Sequence, residues 1–102
     1  MCPSTLHSAV LEVELHLPES RSLKEKRSVL RHLLDTSRRR FGVSASEVDH
    51  QDLHQRAGLA FAVVAPTAGR VDEVLDRVER FVWSEPRVAV LSCLRHWLDL
   101  DP

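Results

Sequence analysis

Apolar and polar residues alternate from Leu6 to Leu17, with Ala9, Leu11, Val13, Leu15 and Leu17 on one side and Val10, Glu12, Glu14 and His16 on the other. A period of two belongs to a strand with one buried face, and Pro18 stops it. The period then lengthens. Ser22 and Glu25 form a capping box, in which the Ser22 hydroxyl accepts from the Glu25 N–H and the Glu25 carboxylate reaches back to the Ser22 N–H, so a helix starts there. Leu23, Leu30, Leu34, Ser37 and Phe41 mark its inward face, and Gly42 stands where a helix favours a left-handed terminating residue. Residues 43 to 48 and 56 to 65 read as a second and third strand, a hairpin around the polar connection 49 to 55. Pro66 and Thr67 introduce a second helix, whose Val71, Val74, Leu75, Val78, Phe81 and Val82 recur at helical spacing until Pro86 ends it. Residues 88 to 98 are rich in β-formers and give the last strand.

Strand, helix, strand, strand, helix, strand is the order of two split βαβ halves. It predicts an α+β domain spanning residues 1–102, a ferredoxin-like βαββαβ sandwich with a four-stranded antiparallel sheet and both helices on one face. On the third strand Leu59, Phe61 and Val63 would face the helices, leaving Gly58, Ala60, Ala62 and Val64 on the opposite side. An open sheet face normally carries polar residues, so this apolar strip points to a homodimer or a covering loop.

With 102 residues, 43% of them hydrophobic and 28% charged, the chain suits one soluble globular domain. No apolar run approaches the roughly 20 residues of a membrane span, and Glu12 and Glu14 interrupt the N-terminal apolar stretch. The expectation is a cytoplasmic protein with no membrane partner. Cys2 and Cys93 lie far apart and read as free thiols. The only glycines, Gly42, Gly58 and Gly69, never cluster, so no phosphate-cradling loop is present and no cofactor is expected.

Charge changes the picture. Eight of the fourteen cations lie between Arg21 and Arg40 against Glu25 and Asp35, a local +6, while the rest of the chain carries −7. Lys24, Arg27, Arg31 and Arg38 fall within an arc of about 60° at 100° per residue, bordering the apolar stripe. A solvated helix face is the ordinary explanation of such a run. The contrast between the two parts of the chain favours an anionic partner. An RNA platform on the open sheet face, of the kind that stacks bases on aromatics, is disfavoured because the chain has no tyrosine and Glu12 and Glu14 would lie on that face.

Asp49, His50, Asp52 and His54 crowd the hairpin connection. The histidine spacing occurs in zinc sites, and a histidine beside a carboxylate suits acid–base work, which would make this a metal-dependent hydrolase. No cysteine pair, nucleophile or oxyanion motif accompanies it, and hydrophilic turns commonly look like this.

"SLKEKRSVL", from Ser22 to Leu30, and "EVDHQDLHQRA", from Glu47 to Ala57, resemble the two hallmark stretches of the YlxP-like family, small bacterial proteins of unknown function. The resemblance runs from about Leu6 to Trp97 and implies a ferredoxin-like fold. It also implies a link to translation, since genes of the family often sit beside those for translation initiation factor 2 and ribosome-binding factor A. Where this chain has His54 the family commonly has an aromatic residue, which argues against a metal role for His54.

The resulting expectation is a non-enzymatic binding protein for ribosomal RNA or a ribosome-assembly intermediate. Lys24, Lys26, Arg27, Arg31, Arg38, Arg39 and Arg40 would contact phosphates, with His50 and Arg56 as secondary contacts and no metal. The alternative is a protein-interaction module that recognises an acidic protein partner.

Overall fold

A computed structural model describes residues 5–98. The expected order is observed: β1 (His7–His16), α1 (Leu23–Phe41), β2 (Ser44–Asp49), β3 (Arg56–Ala65), α2 (Ala68–Trp83) and β4 (Ala89–Trp97). The four strands form one antiparallel sheet in the order β2-β3-β1-β4, and the fold is ferredoxin-like. No helix among the described residues is long and apolar enough to cross a membrane. Cys93 is a half-buried free thiol on β4, while Cys2 lies outside the described residues.

The core follows from the strand alternation. Ala9, Leu11, Val13, Leu15 and Leu17 are essentially inaccessible, as are Leu59 and Phe61 on the neighbouring strand. Val71, Val74, Leu75, Val78 and Val82 of α2 close over them, whereas Phe81 stays partly exposed. The opposite sheet face is mixed rather than apolar. Val64 is exposed at its end, while Glu12 pairs with His96 at 2.9 Å, and Ser44 and Ser46 lie opposite Ala62 and Ala60.

Both helix starts are capped by side-chain oxygens. The Ser22 hydroxyl accepts from the Glu25 N–H at 3.1 Å and the Thr67 hydroxyl from the Arg70 N–H at 3.1 Å. The return bond of the expected capping box is shifted by one residue: the Glu25 carboxylate takes the Arg21 N–H at 2.6 Å, not that of Ser22. Gly42 closes α1 at φ 66°, a left-handed conformation that costs glycine nothing.

The inward face of α1 differs from the expected stripe. Val29, Leu30, Leu33 and Ser37 are buried with Lys26, whereas Leu23, Leu34 and Phe41 are only partly covered. Helix α1 contacts both α2 and β2, so its buried arc is wider than leucine positions alone suggest and is centred nearer Leu33.

Lys26 is the largest fully buried side chain. Its ammonium donates to the carbonyls of His50 and Leu53, both at 2.7 Å, and makes an ion-pair contact of 2.7 Å with Glu47 Oε2. A cation can stay inside only when its protons are satisfied in this way. The hairpin is shaped to meet it: His50 adopts φ 59°, its N–H is held by Asp49 Oδ1 at 2.8 Å, and its carbonyl also takes the Leu53 N–H. A second tie runs from Gln55, whose side-chain amide donates to the carbonyls of Pro18 and Ser20 while its own carbonyl accepts the Leu17 N–H. The β1–α1 loop and the β2–β3 hairpin therefore stand as one unit.

Two arginines make the ion pairs of the far side. Arg95 of β4 reaches Asp72 and Asp76 of α2, each at 2.6 Å. The Arg87 guanidinium grips the buried Glu85 carboxylate with bonds of 2.8 and 2.9 Å, and this pairing holds Glu85 well below the usual carboxylate range, at about 2.

Lys26→Met should lower the unfolding free energy by about 3 kcal/mol, because it removes the ammonium's bonds to the His50 and Leu53 carbonyls and leaves Glu47 without its countercharge. Lys24→Met on the exposed side of the same turn should stay within about 0.5 kcal/mol, and urea midpoints compare the two. Because the Glu85 pKa is lower in the folded than in the unfolded chain, its contribution is complete above about pH 4.5 and disappears as pH falls towards 2. Glu85→Gln should therefore be less stable than the parent near neutrality, with the gap closing over that interval in acid denaturation curves.

Candidate functional site

The outward face of α1 carries most of the cations that have no ion-pair partner among the described residues. Lys24, Arg27 and Arg31 are exposed and make no ion pair or hydrogen bond through their side chains among the described residues. Arg27 and Arg31 border a shallow groove of about 330 Å³ between α1 and β2. Arg39 has one long bond, 3.4 Å, to the Asp35 carbonyl.

Three of the residues expected to contact phosphates stand apart from this stripe. Lys26 lies on the opposite side of the helix with its amine saturated, so it cannot reach a ligand. Arg38 is committed at both ends of its guanidinium, to Asp35 at 2.8 Å and to the Ala45 carbonyl at 2.6 Å, which ties α1 to β2. Arg40 turns away from the stripe towards α2, its guanidinium carbon 5.1 Å from the Phe41 ring centroid and 5.8 Å from that of Phe81.

Elsewhere the cations are spoken for. Arg56, Arg70, Arg77, Arg87 and Arg95 each have a carboxylate within ion-pair distance. Arg21, Lys24, Arg27, Arg31, Arg39, Arg40 and Arg80 have none among the described residues, and only Arg80 of these lies outside the Arg21–Arg40 stretch. The acids of α2, β2 and β1 are thus largely consumed inside the fold, and the surplus charge stands on the first helix.

His50 and Arg56 do not join that surface. Their side chains meet Glu14 on the open side of the sheet: the His50 ring contacts Glu14 Oε1, and Arg56 lies 3.3 Å from the same oxygen. Asp49 completes a group whose possible ligand atoms lie within 4.8 Å of one another. Asp52 and His54, expected beside them, are exposed and stand outside the group. Arg56 and the His50 ring both meet Glu14 Oε1, so the group links the hairpin to β1 through a polar network.

Glu14 and Glu47 were not singled out by sequence reasoning, though one signal was present. Glu14 and Asp49 both pair with Gly58, which separates them on β3. A Cβ on Gly58 would come within 2.8 Å of Asp49 Cβ, so only glycine lets β2 close at the bulge between Glu47 and Asp49.

The family described as a protein of unknown function (DUF503) matches residues 9–95. The chain is 36% identical over 86 residues to the uncharacterized protein YlxP of Bacillus subtilis (strain 168), an alignment covering 84% of this chain and 94% of that protein.

Gly58→Ala should destabilise the fold by about 1–3 kcal/mol through this backbone-side clash. Gly69→Ala, whose added carbon meets nothing within 4 Å in α2, should be neutral or stabilising by up to about 1 kcal/mol. Thermal or urea unfolding of the pair measures the difference.

Proposed function

The chain belongs to the DUF503 family, whose function is unknown, and from that premise we propose that it binds RNA along the outward face of α1. The supporting observation is that Lys24, Arg27 and Arg31, at spacings of three and four on one exposed helix face, have no carboxylate partner among the described residues, whereas nearly every cation elsewhere has one. Phosphates of a nucleic-acid backbone supply the missing countercharge, and release of condensed counterions supplies the driving force. Arg39 extends the stripe towards the helix C-terminus. Ribosomal RNA or a ribosome-assembly intermediate is the polyanion expected from the family resemblance, and the protein acts as a binding module on it rather than as an enzyme.

The opposite face suits RNA poorly. Phe61 is buried against the helices, and Glu12 and Glu14 occupy the centre of the open sheet. No stacking platform of phenylalanine, tyrosine or tryptophan exists there among the described residues.

Titration of labelled rRNA fragments should show affinity falling steeply with salt, with a log–log slope of about −2 to −3 for three to four phosphate contacts. Arg27→Glu/Arg31→Glu should weaken binding about tenfold or more and flatten that slope, with an unchanged melting temperature. Equal binding by parent and variant, or none by either, rejects the proposal.

A further inference from the structure

The last turns of α1 and α2 enclose a recess of about 500 Å³ lined by Arg40, Phe41, Arg77, Arg80, Phe81 and Ser84. Three guanidinium groups line it and no carboxylate does. Arg77 shares Glu73 with Arg70, at 3.0 and 3.1 Å, while Arg40 and Arg80 have no carboxylate partner among the described residues. The Phe41 and Phe81 rings, with centroids 6.0 Å apart, form an apolar wall with the Arg40 guanidinium within cation–π distance of both.

Arginine in a final helical turn is favoured by the helix dipole, which accounts for Arg40 and Arg80 taken singly. It does not account for their convergence from two helices, nor for Arg77 beside them. Like charges brought together beside an apolar wall repel, and an anion bound among them removes that repulsion. We propose that this recess binds a phosphate monoester. Such a group carries about −1.5 to −2 charges at pH 7, matching the two unpartnered arginines, where a backbone diester offers one. Its oxygens can accept paired N–H bonds from planar guanidinium forks. The carrier is either the phosphorylated end of an RNA strand or a free phosphate ester. Arg77 and Arg80 lie outside the α1 stripe, so this site stands or falls apart from the RNA surface proposed above.

The experiment follows arginine Nε–Hε resonances during addition of inorganic phosphate at constant ionic strength. In parallel, it compares anisotropy titrations of one oligoribonucleotide bearing either a 5′-phosphate or a 5′-hydroxyl. Phosphate at millimolar concentration should shift the Arg40, Arg77 and Arg80 resonances. A strand end as the carrier should further appear as about fivefold tighter binding of the phosphorylated strand, roughly 1 kcal/mol at 1.4 kcal/mol per decade. Arg77→Gln/Arg80→Gln, two exposed positions, should abolish the phosphate shift of the remaining Arg40 resonance and any strand preference, with an unchanged melting temperature. Arg27→Glu/Arg31→Glu should weaken both strands equally and leave any preference intact. Phosphate shifts without a strand preference assign the site to free phosphate esters, and they support the site even where neither strand binds. Absence of both responses, or their persistence in Arg77→Gln/Arg80→Gln, overturns the proposal.

Discussion

One buried ammonium group fixes how the first helix meets the β2–β3 hairpin. Lys26 donates to two carbonyls and lies in ion-pair contact with a carboxylate of the segment from Glu47 to Leu53, and removing the ammonium would leave that carboxylate without its countercharge. The left-handed turn at His50, the position of Glu47 on the helix side of β2, and the close approach of Asp49 to Gly58 are mutually dependent with it. The two stretches that carry the family resemblance meet at this contact. Their co-occurrence thus has a structural explanation: Ser22 and Glu25 cap the helix, Lys26 enters the hairpin, and Gln55 ties the hairpin back to the loop before the helix. Of the first stretch, only Lys24 and Arg27 remain for an outside partner.

The same bookkeeping governs the surface. A chain of near-zero net charge becomes a one-sided molecule because its acids are used internally: Asp72 and Asp76 on Arg95, Glu73 on Arg70 and Arg77, Glu85 on Arg87, Glu14 on Arg56. Apart from Glu85–Arg87, which lies within the α2–β4 loop, each pair locks one element to another or stiffens one helix, and every one withdraws a negative charge from the set that could shield α1. Exposed pairs contribute little stability individually, but their placement decides which cations are left over.

The order of elements along the chain, the helix starts and the β1 and β3 cores were legible because each depends on local periodicity or on a residue with one conformational use, such as Gly42 at φ 66°. Lys26 was not, for in a run of lysines and arginines it has the same chemistry as its exposed neighbours. Its distinction is angular: it shares a face with Leu30, Leu33 and Ser37, and a lysine there must find acceptors inside. The Glu14–Asp49–His50 group was unreadable for another reason. It is assembled across three strands, so its members are neighbours only once the register through Gly58 is known. Arg77 and Arg80 belong to the net-acidic remainder of the sequence, and only the packing of two helices brings them beside Arg40.

Geometry also answers why the acidic open face of the sheet does not cancel the cationic helix. Glu12 and Glu14 point away from the helices, so the sheet and the full width of α1, about 10 Å for the helix alone, separate them from Lys24, Arg27 and Arg31. At physiological ionic strength the Debye length is about 8 Å, so fields from the two faces decay separately in the surrounding solvent. A polyanion approaching α1 therefore experiences the stripe and not the total charge of −1. Approach to the opposite side brings it against Glu12, Glu14 and Asp49, of which Glu12 is offset only by a half-exposed histidine. The fold would thereby orient a polyanion before any contact forms, through cations that have no ion-pair partner among the described residues.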